Sequence, residues 1–373
     1  MIKVLITSTG FFDTENIVRN FALDQATALK NMGIDVRILC IDLRTVIHSK
    51  HIGKKRISVE GIPVYAISLP CRILSETKKS AVGDKLFLSL YKELENEGWI
   101  PDIIHAHFVA DQMLSTVRYS KKKFVLTEHF SGMNTLSPDK ALLARNMPAY
   151  ELADCRLAVS TAFKDKLERV TGLSFDVMPN VLDSKVFGKK AISRIAHDGI
   201  KLVSAGNLTE NKNFSTLIEV ISLLDRSDIE LHIFGSGSKY AELKAKIENL
   251  GLSDRVFLRG KVGRESLAEE YMSADGFVLL SKSETFGVAF IEAMACGLPV
   301  LSLACGGTGD FINDKNGIIV SQTEASDIAK ALGDFIAGLD GYDRERISEE
   351  ITDRYGYETV MNELIGIYKG LLN

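Results

Sequence analysis

The stretch Lys282–Pro299, KSETFGVAFIEAMACGLP, carries two carboxylates, Glu284 and Glu292, eight positions apart, and beyond Lys282 no other charge. Within one helix, at about 100° per residue, they would lie roughly two turns apart and far from stacked. A loop followed by a helix is the economical reading. Thr285-Phe286-Gly287 makes a tight turn off a strand, Val288 to Cys296 an alanine-rich buried helix, and Gly297 with Pro299 its stop. Glu284 then stands at the mouth and Glu292 inside the helix. A lone carboxylate in such apolar surroundings costs several kcal/mol unless paired, so Glu292 requires fixed donors, which a ligand's hydroxyls would supply. The amides after Glu284, at a helix start, suit a phosphate or a polar sugar.

Outward from this stretch the pattern repeats. Gly276 to Leu280 precedes it and Val300 to Leu303 follows it as strands, and Leu202 to Ala205, Leu231 to Phe234 and Val256 to Leu258 alternate with helices before them. The first half does the same. Val4 to Ser8, Val36 to Ile41, Val64 to Ser68, Ile103 to His107, Phe124 to His129, Cys155 to Ser160 and Phe175 to Met178 read as strands, and Phe21 to Met32 as an amphipathic helix closed by Gly33. In Lys85 to Gly98, Leu86, Leu90, Tyr91 and Leu94 form a helical stripe of core type. Such alternation predicts parallel sheets built from βαβ units, here two Rossmann-like α/β domains facing across a cleft, with binding sites at the carboxyl ends of the strands. The expected division is residues 1–185, a polar linker over 186–199, a second domain over 200–350, and a terminal segment 351–373 with a helix from Tyr357 to Leu372.

Composition narrows the partners. At 373 residues the chain has room for two domains. Up to Lys190 it holds 27 Lys and Arg against 21 Asp and Glu, and beyond that 18 against 28. A pI near 6.0 argues against nucleic acid. The basic half would suit an anionic membrane surface or an acidic acceptor, although solvated side chains on helix ends and loops, among them Lys54-Lys55-Arg56, Lys78-Lys79 and Lys121-Lys122-Lys123, are the more economical account. Neither a signal peptide nor a membrane span is expected, and five scattered cysteines without a C-x-x-C pair fit buried thiols in a reducing cytosol.

Several turns could carry chemistry. In Ser204 to Asn213 a strand ends at Gly206, and Lys212 follows Asn207 before a helix; amides and a mobile cation suit a diphosphate, though read alone this is equally a surface turn. Phe234-Gly235-Ser236-Gly237 is an incomplete dinucleotide fingerprint. Arg259-Gly260-Lys261-Val262 and Gly306 to Asp310 follow further strands. His105, His107 and His129 could suggest zinc, but no fourth ligand or acid/base partner is placed, and no metal is expected.

Together these segments resemble the retaining, nucleotide-sugar-dependent glycosyltransferases of family 4, two-domain enzymes of the GT-B fold. Glu284 to Glu292 matches their E-x7-E signature, Gly206 to Lys212 their G-R-L-x-x-x-K segment with Asn207 in the arginine's place, and Thr127-Glu128-His129 their T-E-H strand end. The resemblance implies that Glu284, with the amides of Thr285, Phe286, Gly287 and Val288, meets the donor sugar and diphosphate. It further implies Glu292 on the ribose, Lys212 on the leaving diphosphate, Gly235 near the donor, and Gly260, Lys261 and Val262 along the base. His129 would reach the transferred sugar, and the last helix would cross back to the first domain. Glu284, Lys212 and His129 are thus the expected catalytic set. The loop Ser8 to Arg19 lacks the paired glycines of many relatives, which leaves the acceptor side open.

The activity so implied is metal-independent retaining transfer from a nucleotide-diphosphate sugar, UDP favoured over GDP, to a hydroxyl of a glycan or lipid-linked glycan. The setting would be cell-surface polysaccharide or glycolipid assembly, in the cytoplasm or at the inner membrane face. No cofactor beyond the donor is called for. The alternatives are a catalytically silent nucleotide-sugar-binding subunit, favoured by Asn207, and a phosphorylase or epimerase of the same fold.

Overall fold

The computed structural model describes residues 1–9, 21–43, 52–69, 71, 74–108, 112–188 and 199–373. Most of the Ser8 to Arg19 loop and of the expected linker therefore lies outside the described residues. The chain divides into two compact units, Met1–Val181 with Tyr357–Asn373, and Leu182–Gly356. Residues 182–188, assigned to the first domain and the linker from sequence, fall in the second unit.

Unit 1 runs β1 (Lys3–Thr9), α1 (Phe21–Asn31), β2 (Asp35–Asp42), β3 (Gly53–Val59), β4 (Ile62–Ser68), α2 (Glu76–Asn96), β5 (Ile103–His107), α3 (Leu114–Ser120), β6 (Lys123–Glu128), α4 (Lys140–Leu152), β7 (Cys155–Ala158), α5 (Thr161–Thr171) and β8 (Asp176–Val177). Its sheet has the order β3-β4-β2-β1-β5-β6-β7-β8 and is parallel apart from the β3–β4 hairpin. The chain winds one way from β1 and returns to start the other at β5, so the switch point is the β1/β5 edge. The central strands are apolar on both faces because helices cover both, which is why they read as continuous hydrophobic runs.

β3 departs from the sequence reading. Lys54, Lys55 and Arg56 are not a loose basic cluster but the body of an antiparallel edge strand. Glu60 and Gly61, at φ 52° and 72°, form the turn that joins it to β4, the left-handed pair that matches strand twist. The cations guard an unpaired edge and are partly neutralised, Lys54 by Glu93 and Arg56 by Glu97 at 2.6 Å.

Unit 2 runs β9 (Ile200–Ala205), α6 (Phe214–Leu223), β10 (Ile229–Phe234), α7 (Tyr240–Asn249), β11 (Val256–Gly260), α8 (Arg264–Met272), β12 (Gly276–Leu279), α9 (Val288–Ala295), β13 (Val300–Leu303), β14 (Gly317–Val320), α10 (Ala325–Ala337) and α11 (Arg344–Tyr355). The sheet order β11-β10-β9-β12-β13-β14, counted from β9, is the 3-2-1-4-5-6 order of dinucleotide-binding folds. Its switch point lies between the carboxyl ends of β9 and β12. The last helix, α12 (Tyr357–Leu372), packs in unit 1 beside α1, burying Val360, Met361, Leu364, Ile365 and Tyr368 in that unit's core.

Candidate functional site

The loops after β9 and β12 meet at the switch point of the second sheet. Asn211 joins them twice: its backbone carbonyl accepts from Lys282 N–H at 2.8 Å, and its side-chain amide donates to the Ser283 carbonyl at 2.8 Å. Between them Lys212 Nζ donates to Glu284 Oε1 at 2.5 Å, with the side chains 20% and 11% exposed. At that burial the pair is screened less than a surface bridge and still open to a ligand. Glu284 is fixed along its backbone, since its N–H donates to Cys305 O at 2.8 Å and its carbonyl accepts from Gly307 N–H at 3.1 Å. A Cβ on Gly307 would sit 2.5 Å from Thr285 O, so this turn shapes the loop from below.

Gly287, at φ 107°, then starts α9. Thr285 and Val288 are half-buried while Phe286 and Gly287 are buried. α9 begins at Val288, four residues after Glu284. A diphosphate placed there would find N–H donors, the positive end of a helix and an ammonium group together.

The carboxyl ends of β9, β10 and β11 close side by side. Gly206 N–H donates to Phe234 O at 3.0 Å and Gly235 N–H to Gly260 O at 2.8 Å. Gly235 sits at φ 140°, and a Cβ there would fall 1.9 Å from Gly206 O, so no other residue lets these strand ends approach so closely. Asn207 and Lys261 are exposed and Val262 is half-buried along the same rim.

Glu292 lies deeper on α9, 9% exposed. The fixed donor that its burial demands comes from the protein itself: Arg264 Nη2 reaches Oε1 at 3.2 Å. The same guanidinium meets Asp183 Oδ2 at 3.5 Å and lies over the Phe187 ring, 5.8 Å from its centroid. Arg264 was not singled out from sequence, although a signal existed. It opens α8, where the helix dipole disfavours a cation, so another partner must hold it there.

His129 stands in unit 1, just after β6, and closes a ladder of stacked rings. His105 and His107 are 4.5 Å apart by centroid, His107 and His129 5.1 Å, and His129 and Phe21 5.0 Å. His105 Nδ1 lies 2.6 Å from the Tyr368 hydroxyl and 3.0 Å from Gln25 Nε2, and its Nε2 is 2.7 Å from Thr127 Oγ1. A neutral ring that donates at Nε2 to Thr127 and accepts at Nδ1 fits these contacts, with the Tyr368 hydroxyl and the Gln25 amide sharing the one Nδ1 lone pair. His107 Nδ1 and His129 Nε2 share a bond of 2.9 Å. Among the described residues no group of three or more His, Cys, Asp or Glu is placed to hold a metal ion.

Burial drives all three histidines below their ordinary pKa, His107 to about 3. The unfolded chain titrates them near 6.5, so between the two values it binds more protons than the native state. Unit 1 therefore loses stability as the pH falls from about 6.5 toward about 3. Urea midpoints across that window test this: they should drop as pH falls, more shallowly in His107→Asn, and equal slopes in the two proteins would contradict it.

Comparison with known proteins adds an independent line. Residues 18–186 match the family profile Glycosyltransferase Family 4, and residues 188–354 match that of Glycosyl transferases group 1. Among relatives, the D-inositol 3-phosphate glycosyltransferase of Paenarthrobacter aurescens is 32% identical over 64% of this chain and 59% of its own. The sucrose-phosphate synthase of Thermosynechococcus elongatus has a similar structure, with a TM-score of 0.83 at 19% identity over 100% and 99% of the two chains. Anabaena HepE, solved with UDP and glucose, gives 0.74 at 16% over 99% and 100%.

Proposed function

We propose, because this chain belongs to the family 4, group 1 glycosyltransferases of GT-B fold and so moves a sugar from a nucleotide-sugar donor, that unit 2 holds a UDP-sugar at the β9/β12 switch point. The observation that carries this reading is the Lys212–Glu284 pair beside the start of α9. Glu284 and the amides of Thr285 to Val288 receive the sugar and phosphates, and Glu292 takes the ribose. Lys212 offsets charge as the diphosphate departs, the type of electrostatic help that dominates such transfers. The acceptor hydroxyl attacks on the face the phosphate leaves, which gives retention, and the leaving phosphate oxygen takes its proton.

No metal enters the mechanism. The acceptor is a glycan or lipid-linked glycan. The enzyme works in the cytoplasm, with the basic first half resting on an anionic membrane. Among the described residues no helix is long and apolar enough to cross one. That the Anabaena structure holds UDP supports uridine over guanosine. Asn207 favours one second reading, a binding subunit without turnover, because asparagine can hydrogen-bond a phosphate but not neutralise it.

Thermal unfolding with UDP, GDP and ADP, and with their common sugars, tests the reading. A ligand at 100 times its Kd adds about 2.7 kcal/mol to native stability. The expected result is a rise with UDP that survives EDTA and is lost in Glu292→Ala. A rise that needs metal, or none with any nucleotide, would remove the proposal, and binding without sugar release or transfer would select the silent subunit.

A further inference from the structure

We infer that Arg264 is a positioning residue of the nucleotide site, acting on the donor's ribose through Glu292; this deepens the donor reading above and rests on it. Three contacts converge on the one guanidinium: the buried Glu292 carboxylate at 3.2 Å, Asp183 at 3.5 Å and the Phe187 ring. A guanidinium met by two carboxylates and lying over a ring has restricted freedom, and anchors the Glu292 oxygen it meets. Glu292 lies 9% exposed in an apolar helix, so loss of this guanidinium loosens the hold on a carboxylate that water barely reaches. A carboxylate so loosened is a poorer acceptor for a pair of hydroxyl groups. The buried Tyr271 sits in the same cluster, its phenol raised well above the usual range chiefly by burial and then by Glu292, so the carboxylate's charge is felt there.

The location of these groups gives the inference its content. Arg264 begins α8 directly after the Gly260 to Val262 rim, and Asp183 lies in the segment that opens unit 2. The ribose end of the site is thus braced by residues remote in sequence from both glutamates, while the phosphate end rests on Lys212 and the start of α9. A defect at Arg264 should be felt at the ribose and not at the diphosphate.

Calorimetric titration of wild type, Arg264→Gln, Arg264→Lys and Asp183→Asn with UDP and 2′,3′-dideoxy-UDP tests this, with the guanosine pair run alongside. Arg264→Gln should weaken UDP about tenfold or more, the loss of a hydrogen-bonded charged acceptor, and change the dideoxy analogue less than about twofold. Arg264→Lys should recover part of the loss, and Asp183→Asn should shift UDP affinity in the same sense by less. In turnover the donor KM should rise while kcat holds. Equal loss of both analogues in Arg264→Gln would overturn the inference, as would wild-type affinity for UDP in that variant. If Arg264→Gln does not fold, Asp183→Asn decides, since an equal effect on both analogues or none refutes the ribose role. Wild type that binds no nucleoside diphosphate would refute the donor reading itself, and this inference with it.

Discussion

Lys212→Ala will lower sugar transfer by about 10²–10³-fold, the range found when one preorganised donor to a developing anion is removed. The size follows from two effects of the same sign. On the donor reading proposed above, the ammonium is the charge set against the departing diphosphate, and Asn207, five positions before it, carries none to substitute. It is also the partner of Glu284, 2.5 Å away and 11% exposed, so its loss leaves a carboxylate facing an incoming polyanion. Glu284→Gln in the same background should recover part of the donor affinity, because the repulsion goes with the charge, and the two substitutions will not add. Single-turnover rates at saturating donor separate the effects. A Lys212→Ala enzyme within threefold of wild type would mean that the leaving group is stabilised elsewhere.

Removing Tyr357–Asn373 will abolish the cooperative fold of unit 1 and leave unit 2 folded. Val360, Met361, Leu364, Ile365 and Tyr368 all sit in the core of the first unit. Burying one such side chain contributes about 1.5–3 kcal/mol, so five together match the ~5–15 kcal/mol that holds a domain folded. The cut also strips His105 of the Tyr368 hydroxyl 2.6 Å from its ring. Hydrogen exchange of the truncated chain should show β1, β2 and β5 unprotected and β9 and β12 protected. Protection retained in both sheets would show that α12 is dispensable.

The sequence was most legible where local chemistry and tertiary structure agree. The turn at Gly287, the buried run from Val288 and the stop at Gly297 define α9 because each residue answers a backbone demand at its own position. β3 was hidden because an edge strand displays cations where a central strand displays valines, although Glu60-Gly61 announced the hairpin. The pairing of Lys212 with Glu284, 72 positions apart, and of Arg264 with Glu292 and Asp183, depends on how the strands are ordered. Periodicity does not encode that order. Nor does the amphipathic stripe of α12 say which core it completes. Most of the loop Ser8 to Arg19, where the sequence departs from the resemblance and the acceptor side stays open, lies outside the described residues.

The two points at which the backbone enters and leaves unit 2 lie together, Leu182 N–H donating to Tyr355 O at 2.8 Å and Leu182 pairing with Gly356. The second unit is therefore an insertion within the first, and biosynthesis must meet the consequence. Translation ordinarily lets the leading domain fold before the next emerges. Here Leu182–Gly356 can close while α1 still lacks the helix that covers it, so an apolar face stays open on the nascent chain until the last turns of α12 leave the ribosome. The half that is made first is the half that is finished last.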